Sequence, residues 1–252
     1  MSNQPGQRFA VVTGAAGGIG QAIVRAFTAA GYAVVATDRV AQPAGLDCSL
    51  YLQADLARTV EDTGYADAVF RRILDHVGGQ GMAVLVNNAA VQILGGADSL
   101  SRADWRQTLD VNLLAPFLWT QALLPALEQA QGCVVNISSI HARLTKQNFV
   151  AYATSKAALS GMTRAMAVDL GGRIRINAIE PAAIETDMLK AGFATQPHLL
   201  EQLKSAHPSG RIGNPDEVAR AALQLANPEN GFLQGACILL DGGIGSRLHD
   251  PN

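Results

Sequence analysis

Short apolar runs alternate along this chain with longer stretches in which apolar residues recur every three or four positions. Residues 9–13, 33–37, 83–87, 134–137 and 174–179 are mostly apolar and rich in β-branched side chains, the pattern of strands buried on both faces. Residues 51–54 form a weaker run, and 237–240 a last one. Between them, residues 19–30, 60–77, 103–129, 149–170 and 216–226 carry helical spacing. Pro116 and Pro125 are candidate kinks of the third helix. Strand followed by helix, repeated, predicts an α/β fold: a single-domain, doubly wound, seven-stranded parallel sheet with helices on both faces. No repeat or linker divides residues 1–252, so one domain is expected. Such sheets take ligands beyond the carboxyl ends of their strands, where the polar motifs of this chain also fall.

Composition narrows the function. With 252 residues and 48% hydrophobic content the chain can bury a large core. A formal net charge of −2 gives no basic excess for nucleic acid or anionic lipid. Cys48, Cys133 and Cys237 are scattered without metal-ligand spacing and read as buried apolar residues of a reducing compartment. No apolar run reaches membrane-spanning length, and residues 1–8 lack a signal-peptide core, so a cytoplasmic protein is expected.

The segment Thr13-Gly-Ala-Ala-Gly-Gly-Ile-Gly20 follows the first strand and opens the first helix. Glycines there permit a tight turn and close backbone approach to a pyrophosphate, which the helix N-terminus attracts. The spacing of Gly14, Gly18 and Gly20 is G-x-x-x-G-x-G. Asp38 ends the second strand, where a carboxylate accepts hydrogen bonds from an adenosine ribose and repels a 2′-phosphate, favouring NAD over NADP. Arg39 beside it pulls the other way. Asp55, after the third strand, either meets the adenine edge or caps the next helix. Asn87-Asn-Ala-Ala90 closes the fourth strand with small side chains that let a cofactor lie against the backbone.

Tyr152 and Lys156 share one face of a helix, and Ser139 precedes the tyrosine in Asn136-Ile-Ser-Ser. A neighbouring ammonium favours a phenolate and would lower the tyrosine pKa, making the pair a proton shuttle.

Together these motifs, with Asn112 and Asn177-Ala-Ile-Glu-Pro181, resemble the short-chain dehydrogenase/reductase family over essentially the whole chain. The resemblance implies a catalytic tetrad of Asn112, Ser139, Tyr152 and Lys156. Tyr152 would be the general acid/base, Lys156 would lower its pKa and bind the nicotinamide ribose, Ser139 would orient the substrate oxygen, and Asn112 would hold a water linking Lys156 to solvent. It also implies that Gly14, Ala16, Gly18, Ile19, Gly20, Asp38, Arg39, Asp55, Leu56, Asn88, Ala89, Tyr152, Lys156, Pro181, Ile184 and Thr186 hold the cofactor. Ala90 and Ala182 stand where the family usually carries glycine. Residues 186–208, containing Met188, Leu189, Phe193 and Leu199, would form a substrate flap. Gln92 and His141 sit at offsets similar to those of substrate-carboxylate ligands in hydroxybutyrate dehydrogenases of the family, but Phe149 replaces the lysine of that group, with Lys146 or Lys190 as substitutes. Gln92, Ser139, His141, Ala182 and Met188 are thus candidate substrate residues for a small hydroxy acid or polyol. A homotetramer, or a dimer, packed through the two long helices and the C-terminal strand is implied. Trp105, Trp119 and Leu123 fit either interface or core. The competing functions are an NADPH-dependent carbonyl or 3-oxoacyl thioester reductase and a non-catalytic NAD-sensing protein.

Overall fold

The computed structural model describes residues 6–186, 189–190, 193 and 197–248. In chain order its elements are β1 (Arg8–Thr13), α1 (Gly18–Ala29), β2 (Tyr32–Asp38), β3 (Leu50–Gln53), α2 (Leu56–Glu61), α3 (Thr63–Val77), β4 (Val84–Asn87), α4 (Arg102–Leu109), α5 (Ala115–Gln129), β5 (Cys133–Ile137), α6 (Val150–Asp169), β6 (Arg175–Pro181), α7 (Pro197–Ala206), α8 (Pro215–Ala226) and β7 (Cys237–Leu240). The strands form one parallel sheet in the order β3-β2-β1-β4-β5-β6-β7.

Side-chain alternation along each central strand builds two cores. Phe9 and Val11 enter one apolar cluster while Ala10 and Val12 enter the other, as a two-residue period requires. Leu85 divides from Val84 and Val86 in the same way, and Val134 from Cys133 and Val135. Helices α3, α5 and α6 close the first cluster with Phe70, Ile73, Trp119, Leu127 and Ala167. Helices α1 and α8 close the second with Ile23, Phe27, Val218 and Leu225. Trp119 and Leu123 are fully buried core residues. Trp119 Nε1 donates to Thr59 Oγ1 at 3.1 Å, which satisfies its one polar atom. Trp105 is half-buried.

Two helices that periodicity draws as continuous are interrupted. Residue Asp62 has extended backbone (φ −122°, ψ 98°) and its carboxylate accepts from Tyr65 N–H, so it ends α2 and caps α3 within the expected 60–77 helix. The expected 103–129 helix widens into a π-helical segment, Asp110–Leu114, between α4 and α5. The interruption comes before Pro116, not at a proline kink. Pro116 brings no N–H to the Asn112 carbonyl four residues back, a deficit that a wider turn accommodates. Helix α7 lies inside the expected flap, where helical packing is the alternative reading of the apolar residues. Of the cysteines only Cys133 is buried; Cys48 and Cys237 are partly exposed, and all three thiols are free. Among the described residues no helix is long and apolar enough to cross a membrane.

The chain winds outward from β1 to β3 and then returns to β4 on the other side of β1. The connections leaving β1 and β4 therefore diverge, opening a crevice at their carboxyl ends.

Candidate active site

The crevice begins at the glycine loop. Gly14 takes φ +66°, and a Cβ there would lie 2.7 Å from Ala89 Cα. A Cβ at Gly20 would run into the Gly14 carbonyl. Gly14 is required because the loop passes hard against the end of β4, and Gly20 because the first turn of α1 packs onto the loop's own backbone at Gly14 and Ala15. Thr13 Oγ1 accepts from the Asn88 and Ala89 N–H groups at 3.0 and 3.1 Å. Asn88 Nδ2 donates to the Thr13 and Gly14 carbonyls at 2.9 and 3.0 Å. Gly17 caps α1 without any side-chain bond, so no side chain engages the amides of that first turn. Asp38 accepts from Ala16 N–H at 3.0 Å and from Val40 N–H at 3.3 Å, which fixes a carboxylate at the rim of the loop. Arg39 is exposed. An uncapped helix start, a loop stripped of Cβ atoms and a fixed carboxylate suit the pyrophosphate and ribose of a dinucleotide. Of the two readings of Asp55, capping is the one seen: it accepts from Ala57 N–H at 2.9 Å, and Leu56 beside it is buried.

Across the crevice, β5 delivers Ser139 and α6 delivers Tyr152 and Lys156 to one cavity of about 630 Å³, which Ile19, Asn88, Pro181, Ile184 and Thr186 also line. Lys156 is buried, and its Nζ donates to the Ile137 carbonyl at 2.8 Å. That nitrogen lies 5.8 Å from the centre of the Tyr152 ring. Ser139 Oγ accepts from His141 N–H at 3.2 Å, leaving its hydrogen free to turn toward the cavity. Burial pushes the Tyr152 hydroxyl above its ordinary pKa, with hydrogen bonding to Ser139 opposing it. Burial also brings Lys156 down to about 8. The expected acidification of the phenol by its lysine is therefore corrected: desolvation is the larger cause and moves both groups toward their neutral forms.

Asn112 sits in the π-helical segment and clamps the chain after β4. Its Oδ1 accepts from Val91 N–H at 2.8 Å, while Nδ2 donates to the Val91 carbonyl at 2.9 Å and to Ser155 Oγ at 3.0 Å. Both amide hydrogens are thus spent on protein.

A buried polar network behind the site was not anticipated. Glu180, 1% exposed, accepts from Arg143 Nε at 2.6 Å and from Ser160 Oγ at 2.8 Å. Ser138 Oγ lies 2.9 Å from Ser160 Oγ and 3.0 Å from the Lys156 carbonyl. The network ties the loop after Ser139, helix α6 and the end of β6 together. Its one signal in the sequence is a glutamate next to the end of a buried strand, after Ala178 and Ile179.

At the substrate end Gln92, His141, Ala182, Lys146 and Phe149 line the cavity. His141 stacks on Phe149 (centroids 4.4 Å, 5° between planes), and its Nδ1 lies 3.0 Å from Thr145 Oγ1. Burial, reinforced by Lys146, brings His141 down to about 4, so it is uncharged at neutral pH. Lys146 Nζ stands 4.8 Å over the Phe149 ring. Lys190 instead pairs with Glu185 at 3.3 Å. Leu189, Phe193 and Leu203 line the cavity; Leu199 does not. Met188 lies outside the described residues.

A second cavity, about 640 Å³, opens at the amino ends of the strands between Arg8, Tyr32 and Arg175, on the opposite edge of the sheet.

The sequence profile described as enoyl-(acyl carrier protein) reductase matches residues 14–245. The chain belongs to the short-chain dehydrogenase/reductase family. This short-chain dehydrogenase is 34% identical over 238 residues to galactitol 2-dehydrogenase (L-tagatose-forming) of Cereibacter sphaeroides, covering 93% of each chain. It is 35% identical over 250 residues to D-threitol dehydrogenase of Mycolicibacterium smegmatis, covering 94% of this chain and 92% of the relative. The ligand-free aldohexose dehydrogenase of Thermoplasma acidophilum superposes with a TM-score of 0.89 at 30% identity, over 98% of this chain and 97% of that one. ElxO with NADP bound (25% identity) and 4-hydroxyisoleucine dehydrogenase complexed with NADH (26%) each superpose with a TM-score of 0.86, over 96% of this chain and all of theirs. As a short-chain dehydrogenase/reductase, the protein is an oxidoreductase.

Proposed function

We propose that this short-chain dehydrogenase moves a hydride between NAD(H) and a secondary alcohol or ketone, with a small polyol as the alcohol. The observation that carries this reading is the convergence of Ser139, Tyr152 and Lys156 on one cavity beside the glycine loop. Bound NAD supplies the hydride acceptor at its nicotinamide carbon. Tyr152, kept protonated by burial, takes the proton of the substrate hydroxyl as it gives up its own toward Lys156, and Ser139 donates to the same substrate oxygen to hold it in line. Lys156 hydrogen-bonds the nicotinamide ribose and passes the proton on toward a water at Asn112, whose carbonyl receives no N–H from Pro116. Gly14, Ala16, Gly18, Ile19 and Gly20 cradle the pyrophosphate, with Asn88 and Ala89 against the adjoining ribose. Asp38 and Arg39 meet the adenosine ribose, and Asp55, by the carboxylate oxygen that does not cap α2, and Leu56 meet the adenine. Pro181, Ile184 and Thr186 flank the nicotinamide.

Two relatives named for polyols, galactitol and D-threitol, support that substrate class. An uncharged His141 supports it too, since a neutral ring lacks the positive charge that an imidazolium would offer a carboxylate. Absorbance of reduced cofactor on mixing purified protein and NAD with polyols, simple alcohols and hydroxy acids tests the reading; no turnover of any alcohol would end it.

NADPH-dependent reduction is the second reading, favoured by Arg39 and by the NADP-bound neighbour. Asp38 argues against it, because a fixed carboxylate repels a 2′-phosphate. Asp38→Ala should shift the kcat/KM ratio toward NADP by about tenfold or more, the equivalent of ~1.4 kcal/mol. An unchanged ratio would remove Asp38 from the cofactor assignment.

Self-association as a homotetramer is inferred from exposed apolar side chains on β7 and the long helices, among them Phe117, Val150, Ile238 and Leu239. Light scattering in solution reads the mass, and a monomer would contradict it.

A further inference from the structure

His207 follows the last turn of α7 and lines the same cavity as Ser139, Tyr152 and Lys156. It is 3% exposed. Its Nδ1 lies 2.7 Å from the Leu203 carbonyl, an oxygen that can only accept, so Nδ1 carries the hydrogen. In the neutral ring Nε2 is then a lone-pair acceptor. That nitrogen is shielded from solvent and has no hydrogen-bond partner among the described residues. The ring is held in place: Gly210 N–H donates to the His207 carbonyl at 2.8 Å, and Ser209 N–H to the Gly242 carbonyl at 3.0 Å, pinning the turn after α7 to the loop after β7. An acceptor buried without a partner costs about 1–3 kcal/mol. Such an orphan calls for a functional account, and here its ring forms a wall of the substrate cavity.

We propose that His207 is a substrate-binding residue whose Nε2 accepts a hydrogen bond from a second hydroxyl of the substrate, remote from the carbon that is oxidised. This deepens the alcohol dehydrogenase reading above and rests on it. The tautomer sets the chemistry. A lone pair welcomes the O–H of a polyol, whereas a carboxylate oxygen, which only accepts, faces it lone pair to lone pair. Leu189, Phe193, Leu203 and Ile244 also line the cavity, and a hydroxyl that loses water on entering gains a replacement partner at Nε2. Selection for polyols over plain alcohols follows, because a site with a buried polar group discriminates strongly against an analogue that leaves that group unpaired.

The test compares His207→Phe and His207→Gln with the native enzyme. Substrates are four- to six-carbon polyols, including D-threitol and galactitol, the 2-alkanols of matching chain length, and 3-hydroxybutyrate. His207→Phe should lower the ratio of kcat/KM for the best polyol to that for its 2-alkanol by roughly 10- to 100-fold. His207→Gln, which places an amide acceptor near the position of Nε2, should restore part of that ratio. In enzyme carrying ¹⁵N-labelled histidine, the Nε2 resonance of His207 should shift on adding the polyol with NADH and not on adding the 2-alkanol. An unchanged ratio in His207→Phe, a uniform loss across all three substrate classes, or a native preference for 3-hydroxybutyrate overturns the role of His207 while the dehydrogenase reading stands. Native enzyme inactive on every alcohol overturns both.

Discussion

Replacing Tyr152 by phenylalanine should cut kcat by roughly 10²- to 10⁴-fold, the span of a positioned general acid/base. The rest of the molecule should barely notice. The Tyr152 ring meets His141 edge-on at 5.7 Å and Phe149 at 6.1 Å, and a phenyl ring keeps both contacts. The variant loses a buried hydroxyl but leaves no hole. Its NADH affinity, read by fluorescence titration, should stay near the native value, because most of the proposed cofactor contacts are made by other groups and the phenyl ring remains. Turnover at the native rate would show that the proton goes elsewhere and would dismantle the proposed mechanism.

Lys156→Met should separate activity from stability. The native side chain is 2% exposed and carries an ammonium whose one protein partner among the described residues is the Ile137 carbonyl. Methionine fills similar volume without the cost of burying a charge, so the melting temperature should hold or rise. Turnover should fall by roughly 10²-fold or more, since both the proton path and the ribose contact are removed. A variant that unfolds while the native protein stays folded would mean that the ammonium is needed for the fold.

The pH dependence follows from the same burial. Folding lowers Lys156 from its ordinary 10.5 to about 8, so between those values the unfolded chain binds more protons than the native one. Unfolding free energy therefore rises with pH from about 8 upward, as the penalty of the buried ammonium is relieved. Tyr152 is shifted up from its ordinary 10.0, so its contribution is present below that pH and declines above it. Cys133, pushed by burial from 9.0 to about 11, opposes the rise from about pH 9 upward in both proteins, so the Lys156 contribution is read as the difference between them, and Lys156→Met should lack it. Parallel denaturant titrations of the two proteins at pH 7 and 9.5 would show it; identical pH responses would contradict a depressed lysine.

Much of this molecule is legible in its sequence because burial on both sheet faces forces near-continuous apolar strands, and Phe9–Val12 or Val84–Val86 admit little else. The glycine loop is legible for a similar reason: no other residue fits at Gly14 beside Ala89. The two broken helices are harder to read. Asp62 looks like any helical surface residue until its backbone is seen extended and capping Tyr65. Apolar spacing does not register the π-helical turn, since one extra residue hardly changes a three-to-four rhythm. Glu180, Arg143 and His207 are illegible for another reason. Their partners, Ser160, Cys237 and Leu203 among them, are assembled by tertiary packing or by a helix end whose position periodicity does not mark. The direction of the Tyr152 shift was misread because sequence shows the neighbouring charge and not the depth of burial.

The wide turn at Asp110–Leu114 holds one residue more than the α-helical turn it replaces. Deleting that residue would close the turn to α-helical width and leave Trp119, Leu123 and Leu127 still facing the sheet. What would be lost is the reach of Asn112 to Val91, since the amide bonds both the N–H and the carbonyl of that residue. A chain shortened here should therefore keep its core and lose the clamp on the strand end.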